Sequence, residues 1–204
     1  MVTGTKWNLT STNGQVSSLF PLPAYPGNYV QFNNFTASGN KATLYSGYLL
    51  DSSCTYTSLA FEFEFAMGSQ VTNTRYKLGI GNGTDGTTET IYARFRSTDG
   101  GNWICEVAAP GGTSVATSVA AATAQSAPTQ RFRIELHGSA TPYGACARFF
   151  INEKLVAVIT TSLPTNILRP QFSVENTNVV AGNALAYLGS VYATWNRWSN
   201  PTGL

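Results

Sequence analysis

The chain has 204 residues, a net charge of +2 and a charged fraction of only 11%, against roughly 25% for an average soluble domain. That length suits a single all-β domain with a sizeable core, and a 43% apolar fraction with 11 Phe, 10 Tyr and 4 Trp argues against disorder of the whole chain. The charge balance offers no dense Lys/Arg patch for nucleic acid, and no run approaches the about 18 apolar residues of a membrane span.

Residues 1–41 read as an irregular arm. The stretch S-L-F-P-L-P-A-Y-P-G-N-Y carries Pro21, Pro23, Pro26 and Gly27, which disfavour a regular ladder or helix. The same arm holds Trp7, Phe20, Tyr25 and Tyr29, rings that gain by burial at about 25 cal/mol per Å². They are expected to lie on the domain or on a neighbouring subunit, and these four are the expected subunit contacts.

From residue 42 to 204 the period is two. The clearest strand is 59–67, with Leu59, Phe61, Phe63, Phe65 and Met67 on one face and Glu62 and Glu64 on the other. Further strands are expected at 44–50, 75–81, 89–97, 102–109, 113–122, 130–138, 146–152, 155–161, 170–176 and 184–195. Turn signals separate them: G-N-G-T-D-G-T at 81–87, T-D-G-G-N at 98–102, A-P-G-G at 109–112 and G-S-A-T-P-Y-G at 138–144. Ten or so such strands bury their apolar faces best as two packed antiparallel sheets, so the expected fold is an all-β sandwich.

Few residues can carry chemistry. Cys54, Cys105 and Cys146 lie far apart with no CxxC pair, so neither a zinc site nor a thioredoxin motif is written. Three reduced, mostly buried thiols are expected, and one disulfide plus a free thiol is also compatible. Sequons at Asn8, Asn34 and Asn82 read as by-products of an Asn- and Thr-rich composition. His137, the only histidine, falls on the polar face with Arg131, Arg133 and Glu135 and is expected at the surface. The loop 82–89 offers only Asp85 and Glu89 to a cation, so it reads as a turn. G-I-G-N-G precedes no helix and no Lys, so no phosphate cradle is expected. No metal and no cofactor is expected.

Glu62 and Glu64 stand i, i+2 on one strand face, roughly 6–7 Å apart, within the range that glycoside hydrolysis uses. The plainer reading sets them on a solvated or cross-strand face, opposite Arg94 and Arg96 of A-R-F-R. Sugar rings could instead stack on Tyr92, Trp103 and Tyr143, the expected glycan contacts.

Five segments together resemble the concanavalin A-like lectin/glucanase jelly roll found in phage and other viral structural proteins. They are Y-K-L-G-I-G (76–81), G-N-W-I-C-E-V (101–107), R-F-R-I-E-L (131–136), F-F-I-N-E-K-L-V-A-V-I-T-T-S-L-P (149–164) and L-A-Y-L-G-S-V-Y-A-T-W (185–195). The resemblance covers about 42–197. In the fourth segment Glu153 stands where that family has the glycine of F-x-I-N-G-x-L-V. Jelly-roll glucanases carry E-x-D-x-x-E or E-x-D-x-x-x-E on a strand, whereas F-E-F-E-F-A-M-G has Ala66 and Met67 where further acids should follow.

The resemblance, the nearly uncharged surface and the aromatic arm set the expectation of a non-enzymatic virion structural protein made in a host cytoplasm. It would be a capsid decoration or cement protein or a fibre head, homo-oligomeric, touching capsid or other virion proteins, with no nucleic-acid or membrane partner. The alternatives are a phage-tail module that recognises a surface glycan and, second, a polysaccharide-degrading glycosidase.

Overall fold

The computed structural model describes residues 7–21, 28–34, 36–47, 50–51, 57–67, 72–83, 89–97, 102–111, 114–119, 129–165, 167–182 and 184–197. These form fifteen strands: β1 Trp7–Thr12, β2 Gly14–Pro21, β3 Asn28–Asn34, β4 Lys41–Ser46, β5 Leu50–Asp51, β6 Thr57–Met67, β7 Thr74–Gly81, β8 Tyr92–Ser97, β9 Trp103–Ala108, β10 Val115–Val119, β11 Gln130–His137, β12 Cys146–Ile151, β13 Lys154–Ile159, β14 Ile167–Asn176 and β15 Ala184–Arg197. Among the described residues no helix is long and apolar enough to cross a membrane.

Two sheets result. One runs β1-β4-β14-β7-β8-β9-β10, with the short β5 also on β14, and the other runs β13-β12-β11-β6-β15-β3-β2. Every strand pair is antiparallel, so the expected two-sheet sandwich is what the chain forms. Strand periods read from the sequence land within a few residues of β4 and of β6 to β15.

The irregular arm is corrected. Within residues 1–41, β1 pairs β4 in the eight-stranded sheet, and β2 and β3 pair each other and β15 in the seven-stranded sheet. Pro21 ends β2, which lies at a sheet edge, where a missing N–H costs no ladder bond. Asn13, at φ 51°, carries the chain from one sheet to the other, a left-handed step that Asn tolerates better than most residues. Trp7 packs on Phe172 of its own sandwich, ring centroids 6.2 Å apart. The side chains of Phe20, Tyr25 and Tyr29 lie outside the described residues.

Alternation puts the aromatic residues of both sheets into one interior. Phe61, Phe63, Phe65, Phe132 and Phe149 from the seven-stranded sheet meet Tyr76, Phe95, Trp103 and Phe172 from the other, all of them at most 1% exposed. Phe63 is the hub. Its ring stacks on Phe132 at 5.3 Å and meets Phe172 edge-on at 5.1 Å and Phe95 at 6.5 Å, the offset and edge geometries that ring quadrupoles favour. Cys105 and Cys146 are free and buried, as expected; Cys54 lies outside the described residues.

Pro170 interrupts a strand paired on both sides. It sits between the β5 pairing, which ends at Leu168, and the β4 pairing, which starts at Gln171. A residue without an N–H is tolerated where the ladder partner changes.

The turn from β12 to β13 puts Asn152 and Glu153 at φ 49° and 66°, the left-handed geometry of a tight hairpin. Here the chain has Glu where glycine would be free of strain, at a cost of about 1 kcal/mol. Glu153 is 61% exposed, with Arg131 at 3.1 Å, a contact of little worth in water. Glu153→Gly is therefore expected to raise stability by about 1 kcal/mol, read as a higher denaturant midpoint with unchanged slope.

Candidate functional site

Interior packing on one side dictates what stands on the other. With Leu44, Phe172, Leu78, Phe95 and Cys105 facing inward, strand alternation puts Tyr45, Gln171, Gly79, Arg94 and Glu106 outward, side by side across β4, β14, β7, β8 and β9. A parallel row holds Arg169, Gly81 and Tyr92, and another holds Ser173, Lys77 and Arg96.

The two glycines leave β7 without side chains, a trough that the neighbouring strand and the side chains of Gln171, Glu89 and Arg94 fill, with no room left in it for a water molecule. A Cβ at Gly79 would lie 2.4 Å from the Ala93 carbonyl oxygen and 2.7 Å from Arg94 Cα, so no side chain fits between these strands. At Gly81 it would lie 3.1 Å from Gln171 Oε1 and 3.5 Å from Glu89 Oε1. The long side chains of Gln171 and Glu89 lean in where β7 has none.

Charges crowd the β8 bank. Glu106, with its side chain 4% exposed, accepts from Arg94 Nε at 2.5 Å on one oxygen and from Arg96 Nε at 3.0 Å on the other. Arg94 also donates to Glu89, and its guanidinium lies 3.7 Å over the Tyr92 ring. The Tyr92 hydroxyl donates to Ser114 Oγ at 2.9 Å. Burial pushes the Glu89 carboxyl above the usual carboxylate range, with Arg94 pulling it partly back. Burial also holds the Lys77 ammonium below its ordinary value, and the Arg94 charge adds to this.

The β14 bank is different. Gln171 is 4% exposed, and both its Oε1 and its Nε2 are buried with no hydrogen-bond partner. Two residues earlier, Arg169 Nε is likewise buried and unpartnered, and Arg169 forms no ion pair among the described residues. Its guanidinium stands 5.7 Å from the Tyr45 ring centroid.

The seven-stranded sheet carries a different polar face. There Arg131 lies 3.2 Å from Glu62, 3.8 Å from Glu64 and 3.1 Å from Glu153, and Glu135 bridges Arg133, Arg148 and His137. Glu62 and Glu64 thus pair with β11 of their own sheet. The expected partners Arg94 and Arg96 stand on the other sheet, bound to Glu89 and Glu106. His137 is corrected from surface to buried, 6% exposed, because the Tyr143 ring covers it at 4.8 Å.

The three expected glycan residues do not converge. Trp103 is 1% exposed, wedged between Phe95 and Phe132 in the interior, and this excludes it as a surface contact. Tyr143, 61% exposed, belongs with His137 and Arg148 beside the seven-stranded sheet. Only Tyr92 borders the trough. Lys77, Arg169 and Gln171 are not singled out by the sequence, and Glu89, expected in a turn, is instead bound to Arg94 on this face. The available signal was K-L-G-I-G, whose alternation puts Lys77, Gly79 and Gly81 on one face. Of the sequons, Asn34 is fully buried, donating to the Asn40 and Val174 carbonyls at 3.0 and 2.7 Å. No group of three His, Cys, Asp or Glu residues among the described residues is set to hold a metal ion.

Strand order and packing are those of the concanavalin A-like lectin/glucanase jelly roll. Among solved structures the chain is similar to the Emp47p carbohydrate recognition domain, at 12% identity over 91% of this chain and 88% of that one, TM-score 0.60. It is similar also to the Bacillus licheniformis β-glucanase, at 10% identity over 95% and 94%, TM-score 0.64. A third likeness is a structure of botulinum neurotoxin type C, whose cell entry depends on interaction with two ganglioside molecules, at 12% identity over 93% of this chain and 43% of that one, TM-score 0.57. No family model matches the sequence, and no curated protein does.

The two carboxylate sets should respond differently to neutralisation. Glu106→Gln takes a buried partner from two arginines and is expected to cost about 3 kcal/mol in denaturant unfolding. The Glu62→Gln, Glu64→Gln pair, half-exposed around one arginine, is expected to cost under about 1 kcal/mol.

Proposed function

We propose that this sandwich is a non-catalytic recognition domain that binds a carbohydrate on the outer face of its eight-stranded sheet, over β7, with the side chains that close the trough turning out to meet it. The observation that carries the reading is the Gln171 amide, buried on the trough bank with neither its donor nor its acceptor used. A buried unpaired amide costs a fold about 1–3 kcal/mol, and a sugar hydroxyl, at once donor and acceptor, would satisfy it. Tyr45 supplies a ring beside it, the usual apolar complement to a pyranose, whereas the Tyr92 ring is covered by Arg94. The likeness to a carbohydrate recognition domain is in keeping with this use of the fold, although a fold by itself fixes no activity.

A non-catalytic role fits the carboxylates on this face. Glycosidic cleavage needs one carboxyl as acid and a second as base or nucleophile. Here both oxygens of Glu106 are taken by arginines and Glu89 is bound to Arg94.

Gln171→Leu separates recognition from architecture. Removing an unpaired buried amide is expected to raise stability by about 1 kcal/mol, seen as a higher melting temperature, while glycan-array or calorimetric binding falls at least about tenfold. A variant that loses stability, or keeps full binding, would count against the site. Release of reducing sugar from any polysaccharide bound would refute the non-catalytic reading.

A second reading has its own support. Edge strand β13 exposes Leu155 and Val158, 42% and 50%, and an apolar open edge invites another chain. On that ground the protein is a structural part of a virion, a capsid decoration or cement protein or a fibre head, homo-oligomeric through such edges. Purified particles containing the polypeptide in fixed stoichiometry would support this; particles lacking it would not.

A further inference from the structure

The charges around the trough do not cancel. Lys77, Arg94, Arg96 and Arg169 stand on this face; among the described residues its carboxylates are Glu89 and Glu106, both engaged by Arg94 or Arg96, and Glu175, which is paired in register with Lys41 and Arg75. Arg169 is left without an ion pair among the described residues, its Nε buried and unpartnered. A buried guanidinium N–H without an acceptor is costly, and a planar carboxylate is the group that the arginine fork fits best. Arg169 and Gln171 stand i, i+2 on β14, on the same face and roughly 6–7 Å apart along the strand. That spacing matches a carboxylate on a sugar ring and a hydroxyl on the same or the next ring.

We propose that the sugar held here is an acidic one, its carboxylate taken by the Arg169 guanidinium while the Gln171 amide pairs with a neighbouring hydroxyl. The inference rests on the reading of this face as the carbohydrate site. Two sources supply the chemistry, a uronic acid and a sialic acid, and the test separates them.

Titration calorimetry on the intact protein would compare trigalacturonate with its methyl ester, and 3′-sialyllactose with its methyl ester, each pair differing in the charge offered. One acid is expected to bind at least about tenfold more tightly than its neutral counterpart in low salt, with the advantage shrinking as salt rises. Whichever pair shows the difference identifies the source. Arg169→Gln should erase the preference and leave residual neutral-sugar binding, and Arg169→Lys should keep part of it, since the charge survives and the fork does not. Circular dichroism melts establish that each variant is folded; should Arg169→Gln unfold, the salt dependence of the unsubstituted protein and the Arg169→Lys affinities decide.

Acids that bind no better than their neutral counterparts would overturn the inference and leave the carbohydrate reading standing. A preference that survives Arg169→Gln would overturn it too. Binding of none of the four sugars would take down the carbohydrate reading and the inference with it.

Discussion

Everything outward on the eight-stranded sheet depends on what Phe63 meets inward. Its ring joins Phe132 of its own sheet to Phe172 and Phe95 of the facing one, and a slip of one residue in β8 or β14 would turn Arg94 or Gln171 into that contact and an aromatic out to water. Such a slip moves every side chain of the strand to the wrong face. Burying each ring is worth roughly 2–3 kcal/mol, so the register is strongly specified. The trough, its glycines and its two banks follow from a core that has no part in recognition.

The two outer faces then divide the chain's few charges in different ways. Around β6, β11 and β12 the arginines and glutamates interleave, with Arg131 among Glu62, Glu64 and Glu153 and Glu135 among Arg133, Arg148 and His137. Much of this ladder is open to water, where pairing adds little. Around β7 the charges lie deeper, and β14 adds the Gln171 amide and the Arg169 Nε, buried and without a partner among the described residues. A protein that spends so little charge overall and still buries these groups unpaired on one face has kept them at a cost in stability. Recognition is the reading that gives that cost a purpose.

Strand alternation made most of the fold legible before any coordinates. Phe61, Phe63 and Phe65 against Glu62 and Glu64 set β6 and its faces, and the turn glycines separated the later strands. In the first 41 residues a proline-rich composition speaks against a ladder, whereas Pro21 closes an edge strand and β1 to β3 pair through backbone groups that no side-chain pattern advertises. The site was much less legible. Trp103 and Tyr143 have the composition of sugar contacts, but burial on one and the opposite sheet under the other are set by long-range pairing. Gln171 and Arg169 become neighbours of Gly79 and Gly81 only through the β14–β7 register, some ninety residues away in sequence. That Glu62 and Glu64 pair with β11 rather than β8 has the same origin: β6 and β8 lie in different sheets.

The most direct test of the claim that this trough is the recognition face is a nitrogen-15 shift map, recorded while titrating an oligosaccharide that calorimetry shows to bind. The account predicts that the largest changes fall on the Gln171 side-chain amide and on the backbone amides of Gly79 and Gly81. Changes gathered instead at His137, Tyr143 and Arg148, beside the seven-stranded sheet, would contradict it.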